Sequence, residues 1–146
     1  MRSTTVMKYY VDYFSMKLVK DFDSDLDPRK NYLFCSHPHG MFCVGLSGCF
    51  LSDWTGYSRL FPGLKPYALM LDDICRAPGF KEFIMAVGGA TCSERSIDHL
   101  LGPGQQGNAP VLVVGGVREM TRIENDRVEL YIMRRKGFVR KALENG

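Results

Sequence analysis

The feature that most narrows the fold is the run Val111-Leu112-Val113-Val114, in which every side chain is aliphatic. A strand with one face in water alternates apolar with polar residues. A run without alternation is buried on both faces, as strands of parallel or mixed sheets are. It stops abruptly at Gly115-Gly116. A second apolar run, Tyr32-Leu33-Phe34-Cys35, stops as abruptly in Ser36-His37-Pro38-His39-Gly40. Pro38 cannot donate to a ladder and biases His37 away from helical dihedrals, while Gly40 permits a tight turn or close approach to a ligand. Two imidazoles are therefore expected at the carboxyl end of a strand, the edge where open α/β sheets place ligands.

Other segments supply the alternation. Thr4 or Thr5 can cap a first helix running to about Lys20, apolar and aromatic on more than one face. Such a helix either packs broadly on the domain or lies in a membrane interface with its tyrosines at headgroup depth. Asp21 to Lys30 reads as a solvated acidic loop, because the glycine and closing glutamate of an EF-hand loop are missing. Met41 to Leu51 suits a helix, Leu64 to Leu71 a strand, and Phe80 to Val87 a short helix stopped by Gly88-Gly89. Ser52 to Pro62 reads as a polar, aromatic connection, and Ala90 to Cys92 as a short strand. Ser93 is a natural N-cap for a helix through Leu101, with Glu94 in its first turn. Arg127 to Met133 reads as a further strand and Lys136 to Asn145 as a helix, with Gly146 placed as its C-cap. The alternation predicts an α/β layered domain around a mostly parallel or mixed sheet. Residues 1–30 would form the amphipathic helix and acidic loop, residues 31–146 the domain itself.

A chain of 146 residues suits one domain with a sizeable core. Its net charge of +3 is too small to favour nucleic acid as a partner. The positive charge is uneven, however, with Arg134, Arg135, Lys136, Arg140 and Lys141 close together. A solvated helix face is the plain reading of that cluster, and contact with phosphates or anionic lipid the functional one. Cys35, Cys43, Cys49, Cys75 and Cys92 contain no CxxC pair and read as reduced core residues. No stretch reads as a signal peptide. The longest mostly apolar run, Gly40 to Leu51, falls short of the roughly 20 residues a spanning helix needs.

His37-Pro38-His39-Gly40 resembles the HPHG signature of the diacylglycerol and monoacylglycerol acyltransferase family, which includes wax-forming members. Three further stretches are similar in the family's order: Phe61-Pro62-Gly63, Val114-Gly115-Gly116-Val117-Arg118-Glu119, and Arg135-Lys136-Gly137-Phe138-Val139-Arg140-Lys141-Ala142-Leu143. Any one alone is weak; four in register are specific. The similarity runs from about Tyr13 to the last residue and covers less than half of a usual member. A membrane hairpin before it, and a Val-Pro and Phe-Gly-Glu segment after it, lie outside. The resemblance implies a glycerolipid-acyltransferase-like domain, incomplete at its C-terminus, acting at the cytosolic face of the endoplasmic reticulum membrane. It implies acyl-CoA as co-substrate without a resident cofactor or metal, and a monoacylglycerol, diacylglycerol or fatty alcohol as acceptor. The membrane surface is an expected partner, and a homo-oligomer is compatible with it.

Acyl transfer from a thioester to an alcohol needs a base, stabilisation of the oxyanion and exclusion of water. Histidine, with an unperturbed pKa of about 6.5, is largely neutral near pH 7 and able to accept a proton. His39 is the expected base and His37 its structural partner, with the order of the two left open. An orienting carboxylate five residues downstream, as in the wider glycerolipid acyltransferases, is missing: Phe42 and Val44 occupy those positions. Glu119 is the best replacement if the two strands are neighbours. Gly40, Gly115 and Gly116 would bring backbone close to substrate, and Arg135, Lys136 and Arg140 would meet its phosphates. Met41, Phe42, Leu46 and Phe50 would line an acyl groove, or else serve as core. Cys35 is too far along the strand from His37 to share a proton with it, and there is no Gly-x-Ser-x-Gly elbow. Direct transfer is therefore preferred over a covalent intermediate.

Two rival readings follow from the same residues. A His-x-His pair at a strand end can hold zinc in a hydrolase, with Asp72 or Glu119 completing the ligands. Alternatively the chain is an inert, shortened relative that binds lipid or a partner enzyme.

Overall fold

The aliphatic run sits where its composition requires, in the middle of a sheet. The computed structural model describes residues 2–21, 25–38, 40, 42–73, 75, 79–121 and 129–146. Four strands, β1 (Phe34–Ser36), β2 (Lys65–Met70), β3 (Gly89–Thr91) and β4 (Asn108–Val113), form one sheet in the order β1-β4-β2-β3. All three pairings are parallel, in registers that include Phe34↔Val111, Ala68↔Val111 and Ala68↔Gly89. The expected α/β class and parallel sheet are therefore present. Helices α1 (Thr5–Tyr13), α2 (Val44–Phe50), α3 (Tyr57–Leu60), α4 (Phe80–Ala86), α5 (Glu94–Leu101), α6 (Gly116–Met120) and α7 (Gly137–Glu144) fill the connections.

Side chains alternate across the sheet, so each strand feeds two cores. One face carries Ala68 and Val111 against Leu46 and Leu51, with Phe34, Met70 and Met7 around them. Tyr57, Phe61, Leu64 and Ala109 continue that core toward the amino edge of the sheet. The opposite face packs Leu69 and Leu112 on Ile97, Leu100 and Leu101 of α5. Helices α1, α2 and α3 thus cover one side and α5 the other.

Several boundaries differ from the sequence reading, each for a local reason. Thr4 does cap α1, its hydroxyl accepting from the Met7 N–H, but the helix stops at Tyr13 and not near Lys20. Ser15 has φ 49, and the chain then runs extended, pressing Met16 on Gly48 and Leu18 into the core. Tyr57–Leu60 forms a helix turn inside the expected connection because Tyr57, wholly buried, anchors it. Strand β4 begins at Asn108, ahead of the aliphatic run. It includes Pro110, which has no N–H to give a ladder. The Asn108 N–H donates to Asn31 Oδ1 beside β1 at 3.1 Å, and by alternation Pro110 faces the same side. Pairing with β1 starts only at Val111, so the missing N–H falls just ahead of it.

The strand expected over Arg127 to Met133 is corrected. Residues 127 and 128 lie outside the described ones, and residues 129–132 are irregular before a turn at 133–134. The Tyr131 N–H donates to the Glu119 carboxylate at 3.1 Å in place of a ladder partner. Helix α5 matches closely: the Ser93 hydroxyl accepts from the Ser96 N–H at 3.2 Å. Helix α7 also matches, with Gly146 at φ +87 just past its Asn145 cap.

Candidate active site

Strands β1 and β4 run side by side and end level, Ser36 opposite Val113. The chain therefore leaves both at one edge, through the histidine turn on one side and the glycine turn on the other. His37 is half-buried, and its Nδ1 is buried without a hydrogen-bond partner among the described residues. His39 and Met41 lie outside the described residues. Gly40 has φ +61, with no atom within 4 Å of where a Cβ would stand. Its glycine answers to backbone sign and not to crowding. Cys43, also left-handed at φ 49, heads α2. Burial first, and then the negative charge of Glu119, push its thiol up from the usual range. The head of α2 and the Glu119 carboxylate are thus electrostatic neighbours.

The other turn is built around Glu119, which is 1% exposed. One turn into α6, its side chain folds back over Gly115, and a Cβ there would collide with the carboxylate. Glu119 Oε2 accepts the Tyr131 N–H at 3.1 Å. The Tyr131 hydroxyl accepts from Arg118 Nη1 at 2.7 Å. The guanidinium groups of Arg118 and Arg135 lie 5.5 and 5.6 Å from the centre of the Tyr131 ring. That hydroxyl is held below its usual pKa, chiefly by the Arg118 hydrogen bond. Gly115, Glu119, Tyr131, Arg118 and Arg135 therefore form one linked unit. Tyr131 escaped the sequence reading, since an aromatic inside an expected strand carries no motif of its own.

Beside this unit a cleft of about 630 Å³ opens at the carboxyl edge, bounded by Leu71, Cys92, Gly116, Arg134, Arg135 and Lys136. A recess of about 510 Å³ adjoins it, lined by Arg118, Thr121, Tyr131 and Arg134. The walls are cationic, as a phosphate-bearing ligand requires. Of the expected substrate contacts, the structure brings Gly116, Arg135 and Lys136 to the cleft and keeps Gly115 buried behind them. Arg140 does not line it; its guanidinium pairs with Glu94 at 2.6 Å and with Glu144 at 3.8 Å. The acyl groove drawn over α2 is corrected in part. Leu46 is core, Phe50 packs at a tilt against Phe34 and Tyr57, and Phe42, 79% exposed, is the one of the described three that is open. Cys35, expected in the core, is exposed, though partial burial of its thiol still pushes it up from the usual range. Among the described residues no group of three His, Cys, Asp or Glu is placed to hold a metal ion. Among them, too, no helix is long and apolar enough to cross a membrane.

The chain matches the diacylglycerol acyltransferase family model over residues 1–146. It is 40% identical to bovine (Bos taurus) diacylglycerol O-acyltransferase 2-like protein 6 over 99% of its own length and 42% of the relative's. Identity to bovine 2-acylglycerol O-acyltransferase 1 is 38%, over 99% of this chain and 43% of that one. Mouse (Mus musculus) acyl-CoA wax alcohol acyltransferase 2 is likewise 38% identical, with the same two coverages. No solved structure matches. The chain spans about two fifths of the length of these relatives. On the match of the whole chain to that model, it belongs to the diacylglycerol acyltransferase family.

Proposed function

We propose that this chain carries the catalytic edge of an acyl-CoA-dependent O-acyltransferase that acylates the hydroxyl of a mono- or diacylglycerol or a fatty alcohol. The adjacency of β1 and β4 carries the reading, because it sets the histidine turn, the Glu119 unit and a cationic cleft along one edge. In the reaction a histidine, His39 with His37 as its neighbour, takes the acceptor's hydroxyl proton. The alkoxide oxygen attacks the thioester carbonyl, and N–H groups at the Gly40 and Gly116 turns steady the oxyanion. Its collapse breaks the C–S bond, and the thiolate leaves with the proton returned by the imidazolium. Glu119 holds the turn opposite, and Arg134, Arg135 and Lys136 meet the phosphates of acyl-CoA.

The relatives are named for a diacylglycerol, a 2-acylglycerol and a wax alcohol, which supports an acceptor of that class. Such lipids reside in a bilayer, and the exposed residues Val6, Tyr9, Tyr13 and Phe14 of the α1 region, with Trp54 and Phe42, suit its interface. The cytosolic face of the endoplasmic reticulum is the setting this reading expects. Labelled acyl-CoA offered with each acceptor, in detergent micelles, tests it. Transfer by the chain that falls about 10²-fold or more in His39→Ala supports the proposal. A folded chain that transfers nothing to any acceptor sinks it in favour of an inert relative.

A further inference from the structure

Strand β3 is the outer strand of the described sheet, paired with β2 alone, and α4 and α5 stand on either side of it. Between the two helices a groove of about 620 Å³ runs along the strand. Its apolar lining is Tyr67 and Ala90 of the sheet, Ile84 and Met85 of α4, and Leu100 of α5. Lys81 and Arg95 line it too, and among the described residues no carboxylate does. Neither cation has a carboxylate partner among the described residues, whereas Lys8, Arg29, Arg140 and Lys141 all do. Both stand second in their helices, where the helix dipole disfavours positive charge. Each helix leads from the carboxyl end of one strand back to the amino end of the next, so both cations come to the same mouth of the groove. The Thr91 and Ser96 hydroxyls, 2.7 Å apart, belong to that mouth as well. Met85 and Leu100, near the far ends of their helices, lie deeper, toward the amino edge.

We infer that this groove binds a single-chain anionic amphiphile, its head at the Lys81–Arg95 mouth and its alkyl chain along Ile84, Met85 and Leu100. Walls that carry cations and no carboxylate select an anion. The apolar lining behind them selects a chain attached to it, because a small hydrated anion would leave that surface bare. Arg95 offers a planar fork to a carboxylate or phosphate, and Lys81 a point charge from the other helix. The volume is that of a small-molecule site. Arg95, Ser96 and His99 face this groove, while Glu94 and Ile97 of the same helix face the cleft beside the Glu119 unit. The inference stands apart from the acyl-transfer reading, since binding here requires no catalysis.

Calorimetric titration of the chain with dodecanoate, below its micelle-forming concentration, tests it, with circular dichroism reporting the fold of each variant. One saturable site is expected. Shortening the ligand by two methylenes, to decanoate, should weaken binding about 3- to 15-fold. Lys81→Gln and Arg95→Gln should each weaken dodecanoate about 2- to 10-fold, and Met85→Ser about 2- to 5-fold. Amide resonances of the isotope-labelled chain should shift at Thr91, Ser96 and His99. Dodecyl phosphate, titrated in parallel, separates two sources of the head: tighter binding of dodecanoate supports a fatty acid, tighter binding of the phosphate a lysolipid. No saturable binding by the folded chain overturns the inference. So does binding that both charge variants leave unchanged, or that falls instead in Arg135→Gln, which moves the ligand to the cleft. Equal binding of dodecyltrimethylammonium also overturns it, because an unselective apolar surface then suffices.

Discussion

Two glycines at the carboxyl edge are glycines for different reasons, and they should fail differently. At Gly115 the obstacle is a neighbour: the Glu119 carboxylate occupies the place of a Cβ. At Gly40 the space is open and the obstacle is the backbone, at φ +61. Gly115→Ala must displace Glu119 and with it the Tyr131 N–H, so unfolding in urea should show a loss of about 1–3 kcal/mol. Gly40→Ala should cost only about 1 kcal/mol, the ordinary penalty of a left-handed alanine. Equal losses in the two variants would mean that Glu119 simply swings away from Gly115. Both glycines were legible as turn residues beside a strand end, and Glu119 stood out by following the second of them. What the sequence could not disclose is that Glu119 curls back over its own turn. That depends on Tyr131, which lies beyond an intervening segment and bears no local signal.

The elements divide by whether their limits are locally encoded. Helix α5 carries its own start in Ser93 and its own periodicity, and it is found where it was expected. The end of α1 and the start of β4 are decided by tertiary partners: a methionine pressed on Gly48, and an asparagine bonded to Asn31. Helix α7 is the extreme case, because ion pairs and not apolar packing seat it on α5. The Asn145 amide first, and the Lys141 ammonium next, hold the Asp98 carboxyl below the usual value of 3.8. Glu144 and Asp98 raise the Lys141 ammonium above its own usual range. A depressed carboxyl contributes stability that is complete above the unfolded value of 3.8 and is lost as pH falls through the lower folded value. Protection from hydrogen exchange, relative to the intrinsic rate at each pH, should therefore fall in residues 137–144 under acid before it falls in the sheet. Asp98→Asn should reproduce that local loosening at neutral pH. A uniform loss of protection across α7 and the sheet would show that the helix does not open on its own.

For the whole molecule, the informative contrast is between its two sheet faces. One bears the aromatic surface of α1, and the other bears α5 with α7 packed on it and Val139 and Leu143 exposed. If α1 lies in a bilayer interface, the chain should float with phosphatidylcholine vesicles. The double variant Tyr9→Ser, Tyr13→Ser should lower partitioning about tenfold while leaving thermal unfolding unchanged. Unchanged partitioning would move the lipid contact elsewhere. The class of fold was legible because parallel strands are written in unbroken aliphatic runs. Strand order was not, since nothing local to Val111 says which run will lie beside it.

That order has a consequence for how the protein comes into being. Asn31 reaches Asn108 across 77 residues, and β1 takes its place beside β4 only once both have been synthesised. Pairings so distant along the chain are slow, because a large loop must close before any contact rewards it. The histidine turn and the glycine turn thus become neighbours late, after α5 and the rest of the sheet exist to receive them. A nascent chain arrested before β4 would hold the histidine turn at the end of a strand with no partner to pair with.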